Sequence, residues 1–233
     1  MIVILGLDAL EYEYVRKFNC KNLMQLCYGK TNISEFEEPR TVVLWGSFLT
    51  GRNVEKEALS KGLWNFRLKP TDTFFPSFKK WVAIDVPAFT YKQEAHKKER
   101  EAMKKFFNQK ISIQEYDEIV MKNHKENKEE FFSALEKDYD IVMGYFALAD
   151  VIGHLSFGIV SKMKLIYQEL DEIAMKAREK ADKLLIISDH GMKAIGRFGD
   201  HSNYGFWSTS WSSKLEHPKI TEFRKTIESL SNQ

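Results

Sequence analysis

Three short apolar runs along the chain each end at an acidic residue. Ile2–Leu7 runs into Asp8, Asp140–Leu148 (DIVMGYFAL) meets Asp150, and Lys183–Ser188 (KLLIIS) meets Asp189. A fourth run, Trp81–Val86 (WVAIDV), is closed by Pro87. The runs are continuously apolar rather than alternating, which predicts strands covered on both faces. Between them lie charged stretches with helical periodicity, Lys92–Lys110, Ser112–Lys137 and Ser161–Lys180, and a last helix is expected over Pro218–Leu230. Asn22–Tyr28 reads as a short helix, and polar Gly29–Arg40, with Pro39 near its end, as loop. Strands alternating with helices predict an α/β fold, with a mostly parallel central sheet flanked by helices on both faces. No repeat or linker interrupts the pattern, so a single domain over residues 1–233 is expected.

Thr41–Thr50 (TVVLWGSFLT) has bulky residues Val42, Trp45, Phe48 and Leu49 at helical spacing, and Gly51 stands where a C-cap would. We read a helix with Thr41 at its N-terminus. A hydroxyl there sits among unpaired N–H groups at the positive end of the dipole, a place for a phosphate. An N-cap threonine is the plainer alternative. A metal beside Thr41 would lower its hydroxyl pKa and make it a nucleophile.

With 43% hydrophobic and 13% aromatic residues, the chain can bury a sizeable core, which excludes wholesale disorder. Lys and Arg number 35 against 33 Asp and Glu, so charge gives no case for a nucleic-acid binder. No run approaches a membrane span. The first residues carry Asp8 and no cleavage site, and we expect a cytoplasmic protein. Cys20 and Cys27, seven apart in an expected helix, are read as reduced thiols.

In an open parallel sheet the C-terminal strand ends share one edge, so Asp8, Asp150 and Asp189 should converge there. Three of the 6 histidines fall beside them: His154 in DVIGH, His190 in SDHGM and His201 in the Gly-flanked loop GDHSNYG. His96, His124 and His217 lie in charged or loop contexts and are expected at the surface. Three Asp and three His without a thiolate set suit Zn²⁺ or Mn²⁺. The basic stretch Lys92–Lys110 is either a solvated helix face or an anion-steering surface.

Four ordered blocks, ILGLDAL with Asp8, TVVLWGSFLTG with Thr41, ADVIGH with Asp150 and His154, and ISDHGM with Asp189 and His190, followed by His201, carry a resemblance to a known family. The chain resembles the alkaline phosphatase superfamily, within it the type I phosphodiesterase/nucleotide pyrophosphatase branch. The resemblance implies two divalent ions, Zn²⁺ or Mn²⁺. Asp8, Thr41, Asp189 and His190 would hold the one that activates the nucleophile, and Asp150, His154 and His201 the other. It further implies a phosphoric-ester hydrolase acting on a small-molecule phosphate ester through a phospho-threonine on Thr41. The stretch Lys92–Lys137 would be the one place for a small helical insertion.

The chain also departs from the family. Val54, Glu57 and Ala58 stand where Pro and His-Gly often follow the TG pair. Leu44 replaces an Asn that helps hold the phosphoryl group in nucleotide pyrophosphatases. A phosphomonoesterase, phosphonate hydrolase or phosphomutase-related chemistry, and a non-catalytic metal protein, are the alternatives. A sulfatase needs a Cys or Ser in a C/S-x-P-x-R context, which neither Cys20 nor Cys27 offers.

Overall fold

Alternate side chains of the first strand enter two different cores. In the computed structural model, which describes residues 1–232, β1 (Ile2–Leu7) sends Val3, Leu5 and Leu7 to one side and Ile4 to the other. The same alternation holds in β4 (Ile141–Phe146) and β5 (Lys183–Ile187), as the period of two requires. Both faces are therefore buried, and every position can be apolar.

β1 lies between β4 and β5, parallel to each, and β3 (Trp81–Ile84) adds in parallel beyond β4. On the other flank β8 (Tyr204–Thr209) pairs antiparallel with β5, and β2 (Cys27–Asn32) with β8. The order is β2-β8-β5-β1-β4-β3. A separate two-stranded ribbon joins β6 (Met192–Ile195) to β7 (Phe198–His201).

Helices cover both faces. One core packs α1 (Tyr12–Lys17), α5 (Ile113–Leu135), α6 (Leu148–Ser156) and α7 (Val160–Lys180) on the sheet, through Val15, Phe131, Leu155 and Leu170 among others. The opposite core takes α2 (Thr41–Thr50), α3 (Glu55–Lys61) and α8 (Phe223–Glu228), through Trp45, Phe48, Ala58 and Phe223. α4 (Gln93–Phe107) packs mainly on α5. α5 itself presents Tyr116, Val120 and Phe131 to the sheet core.

Two glycines fix where α2 sits. Gly51 ends it in the left-handed region, φ 68°, which a side chain would strain. At Gly6 a Cβ would lie 2.8 Å from the Trp45 ring, so only glycine lets the indole lie on β1.

Several expectations need correction. Asn22–Tyr28 is not a helix: turns lead into β2, which opens at Cys27 within that stretch and takes up the first part of the expected loop. Cys20 and Cys27 thus share no helix, and both are free thiols. The Asp140–Leu148 run ends as strand at Phe146, and Leu148 already begins α6. His201 is the last residue of β7, not part of a loop. His96 and His124 are buried, at 6% and 7% exposure, because each finds carboxylate partners inside the fold; His217 is exposed.

Candidate active site

Asp8 follows β1, Asp189 and His190 follow β5, and Asp150 and His154 lie one turn apart on α6, just beyond β4. The three strands run parallel, so their C-terminal ends meet at one edge. His201 arrives from the ribbon at the end of β7. The structure brings all six residues together.

Five of them fall into two overlapping groups whose ligand atoms lie within 4.8 Å of one another, Asp150, His154 and His201, and Asp8, Asp150 and His190, while Asp189 belongs to neither. Asp150 Oδ1 is 3.2 Å from His154 Nε2 and 3.4 Å from His201 Nε2. His190 Nε2 lies 3.4 Å from Asp8 Oδ1 and 3.5 Å from Asp189 Oδ2. Asp8, Asp189 and His190 are all but sealed from solvent.

These contacts are close without being hydrogen bonds. Asp8 Oδ1, Asp150 Oδ1, Asp189 Oδ2 and His190 Nε2 are buried and lack a hydrogen-bond partner. Such orphans are costly in a folded protein unless something binds them. The tautomers suit a cation. His190 Nδ1 is 3.0 Å from the Gly191 carbonyl and His201 Nδ1 2.9 Å from the Pro39 carbonyl. A carbonyl only accepts, so each Nδ1 carries a hydrogen; neutral His190 turns its Nε2 lone pair toward Asp8 and Asp189, and His201 Nε2 faces His154 Nε2 at 3.2 Å and Asp150 Oδ1 at 3.4 Å.

The electrostatics agree. Burial, and then the charge of Asp150, lifts Asp8 to about 7. Burial and the charge of Asp8 raise Asp189 well above the usual carboxylate range. Burial, reinforced by His201, pushes His190 down to about 3. Asp150 stays well below its ordinary value: burial opposes this, but His154 and His201 outweigh it. Its charge in turn lifts His154 to about 9. Carboxylates packed this closely need a cation among them to be ionised together. The donor set therefore fits the implied divalent ions.

Thr41 is the first residue of α2, and no side chain caps the helix. It is half-buried, and it lines a cavity of roughly 270 Å³ together with Asp150, His154 and His201. Leu44, in place of the family's Asn, is fully buried in the core and does not line this cavity.

Sequence reasoning missed several residues here. Tyr145 donates its hydroxyl to Asp8 Oδ2 from inside β4. Asp85 is a fourth carboxylate at the strand edge, just past β3, with φ 60°. Its Oδ2 is 2.8 Å from His96 Nε2, and Glu99 Oε2 is 2.8 Å from His96 Nδ1. Burial would favour neutral His96, but these two carboxylates outweigh it and hold the imidazolium to about 9. Asp85 lay hidden inside a run read as strand, although an acid before Pro87 matches the pattern of the other three.

No protein-family model and no curated protein matches the chain. Solved structures do. The structure titled Ps i-CgsB aligns with 99% of this chain and 71% of its own, at a TM-score of 0.52 and 14% identity. The α/β architecture is thus shared with a known fold. Murine ectonucleotide pyrophosphatase/phosphodiesterase 5 aligns with 84% of this chain at a TM-score of 0.47 and 15% identity. Its human counterpart gives 0.44 and 14%. The chain spans 58% of the length of these phosphodiesterase 5 structures. Among the described residues, no helix is long and apolar enough to cross a membrane.

Proposed function

We propose that the protein is a metal-dependent phosphoric-ester hydrolase of phosphodiesterase/nucleotide pyrophosphatase type, with Thr41 as nucleophile. One observation carries the reading: Thr41 lines the same cavity as Asp150, His154 and His201, beside buried ligand atoms that no protein group satisfies. Asp8, Asp189 and His190 with Thr41 would hold one divalent ion, and Asp150, His154 and His201 the other, with Asp150 close enough to Asp8 and His190 to serve both. Three imidazoles favour Zn²⁺, with Mn²⁺ the second choice. Such ions would supply charge neutralisation and lower the pKa of a bound hydroxyl.

The chain's own groups do the rest. Thr41 Oγ1 attacks phosphorus, the bond to the leaving oxygen breaks, and a phospho-threonine remains. Water then attacks the phosphorus, the Thr41 ester bond breaks, and phosphate or its monoester leaves. Non-bridging oxygens meet the first N–H groups of α2, which lack acceptors within the helix. Tyr145 orients Asp8 through its hydroxyl, and Gly191 and Pro39 orient His190 and His201.

Assaying aryl phosphate mono- and diesters side by side, across Zn²⁺, Mn²⁺ and Mg²⁺, tests the reading. Diester turnover that depends on metal and on Thr41 is the expected result. A folded, metal-loaded protein that hydrolyses no phosphate ester would overturn it.

A further inference from the structure

The cavity that Thr41 lines is also lined by a single stack of side chains. The Arg100 guanidinium lies 4.0 Å over the Trp64 ring, Trp64 is parallel to Tyr91 at 6.0 Å, and Tyr91 is parallel to His96 at 4.2 Å. Asp85 and Glu99 clamp His96 at the base of the stack. Arg100, Trp64, Tyr91 and His96 all line the cavity. Trp64 comes from a short 3-10 turn, Leu63–Asn65, and Arg100 from α4.

The cations near Thr41 are not alike. Arg40 is held by Glu38 at 2.7 Å, and Lys193 by Asp200 at 3.4 Å. Arg100 is the one Lys or Arg lining this cavity, and among the described residues it has no hydrogen-bond or ion-pair partner. The carboxylates that line the same cavity face other side chains. Glu99 meets His96 and Asn123, and Asp150 meets His154 and His201. A guanidinium held over an indole, with its donors free, is set to receive an oxyanion in two-pronged fashion.

We infer that Arg100 on its Trp64 platform forms a subsite for an oxyanion carried by the leaving group of the substrate. The inference rests on the hydrolase reading and narrows it. The favoured substrates are small phosphoric esters or anhydrides whose departing half bears its own carboxylate or phosphate. A cavity of roughly 270 Å³ leaves room for a group of about one ring, not for a long chain. Most of α4 is a solvated basic face, with Lys97, Lys98, Lys104 and Lys105 exposed, and Arg100 is the part of it that reaches the chemistry.

Two diesters, methyl 4-nitrophenyl phosphate and methyl 3-carboxy-4-nitrophenyl phosphate, differ by one carboxylate on the leaving ring. Inorganic pyrophosphate tests a phosphate in the same role. Wild type should favour the carboxylated diester at least about tenfold in kcat/KM, as a charge-assisted hydrogen bond implies. Arg100→Gln should bring the ratio near one. Arg100→Lys and Trp64→Leu should fall between, since one loses the flat fork and the other its platform. A ratio that Arg100→Gln leaves unchanged, with pyrophosphate turnover also unchanged, overturns the subsite. If wild type hydrolyses none of the three, the hydrolase reading fails by itself. Calorimetric titration of the metal-loaded protein with 3-carboxy-4-nitrophenol then decides the subsite. Binding lost in Arg100→Gln supports it, and binding that is equal in both or missing in wild type overturns it.

Discussion

His201 Nδ1 lies 2.9 Å from the carbonyl oxygen of Pro39, two residues ahead of Thr41. The bond joins the end of the ribbon to the loop that delivers the proposed nucleophile. His201 therefore does two things: its Nε2 faces Asp150, and its Nδ1 tethers the Thr41 loop. His201→Ala should lower metal content and turnover together. Saturating metal should restore occupancy but not full kcat, because the tether stays lost. Full recovery of kcat at saturating metal would reduce His201 to a ligand alone.

Asp150 belongs to both ligand groups, whereas His154 and His190 belong to one each. Elemental analysis of protein prepared without chelator should find up to two transition-metal ions per wild-type chain. Asp150→Asn should lose affinity for both, and His154→Ala for one. Equal losses in the two variants would break the idea of a shared carboxylate.

Thr41→Ala should abolish turnover while leaving the melting temperature within a few degrees of wild type. Thr41→Ser keeps a hydroxyl but loses the stiffness of a β-branched side chain, and should keep part of the activity. A helix-capping role forecasts the reverse, a stability cost of about 1 kcal/mol with turnover falling only in step. Near wild-type turnover in a stable Thr41→Ala protein would sink the nucleophile assignment.

The Asp85–His96–Glu99 cluster forecasts a pH signature in stability. Burial disfavours charged His96, yet its two carboxylates win and raise it from 6.5 to about 9. A pKa raised by folding means that protonated His96 stabilises the native state. That contribution is complete below about 6.5 and disappears as pH rises through about 9. Melting curves of metal-loaded wild type and His96→Gln should differ most near pH 6 and converge toward pH 9. A gap that stays constant over this range would mean that His96 is not held as the cation.

Gly6→Ala would bring a Cβ to 2.8 Å from Trp45 Cη2, against a ring fully buried between helix and sheet. Overpacking of this kind costs about 1–3 kcal/mol. Denaturant titration should register a loss in that range. No loss would mean that α2 can shift on the sheet, and with it Thr41.

The parts of this molecule legible in its sequence are those whose burial is complete. β1, β4 and β5 are buried over nearly all of their length, and the first few residues past each are where the chemistry collects. α2 was readable from its spacing and from Gly51. The stretch from Met192 to His201 was not, because the ribbon lies largely at the surface and is rich in glycine and charge. Its strands are made by pairing, Met192 with His201 and Ile195 with Phe198, which no local pattern announces. β2 was misread for a related reason: Tyr28 is exposed and Gly29 is small, so strand character there comes from β8. His96 and His124 looked like surface residues amid charge, and only the packed fold shows Asp85 and Glu169 waiting for them. For Trp64 and Arg100, 36 positions apart, the sequence offers no pairing signal at all.

The central place of β1 sets the order of events when this chain is made. Ile2 pairs with Ile141 on one side and Lys183 on the other. A ribosome delivers β1 well before both of its neighbours, so an entirely apolar segment waits without a partner while the long stretch up to β4 emerges. Contacts this distant in sequence close slowly. The nascent chain therefore carries a sticky segment until β4 and β5 have emerged, and factors that shield emerging chains should govern the yield of active protein more than its final stability does.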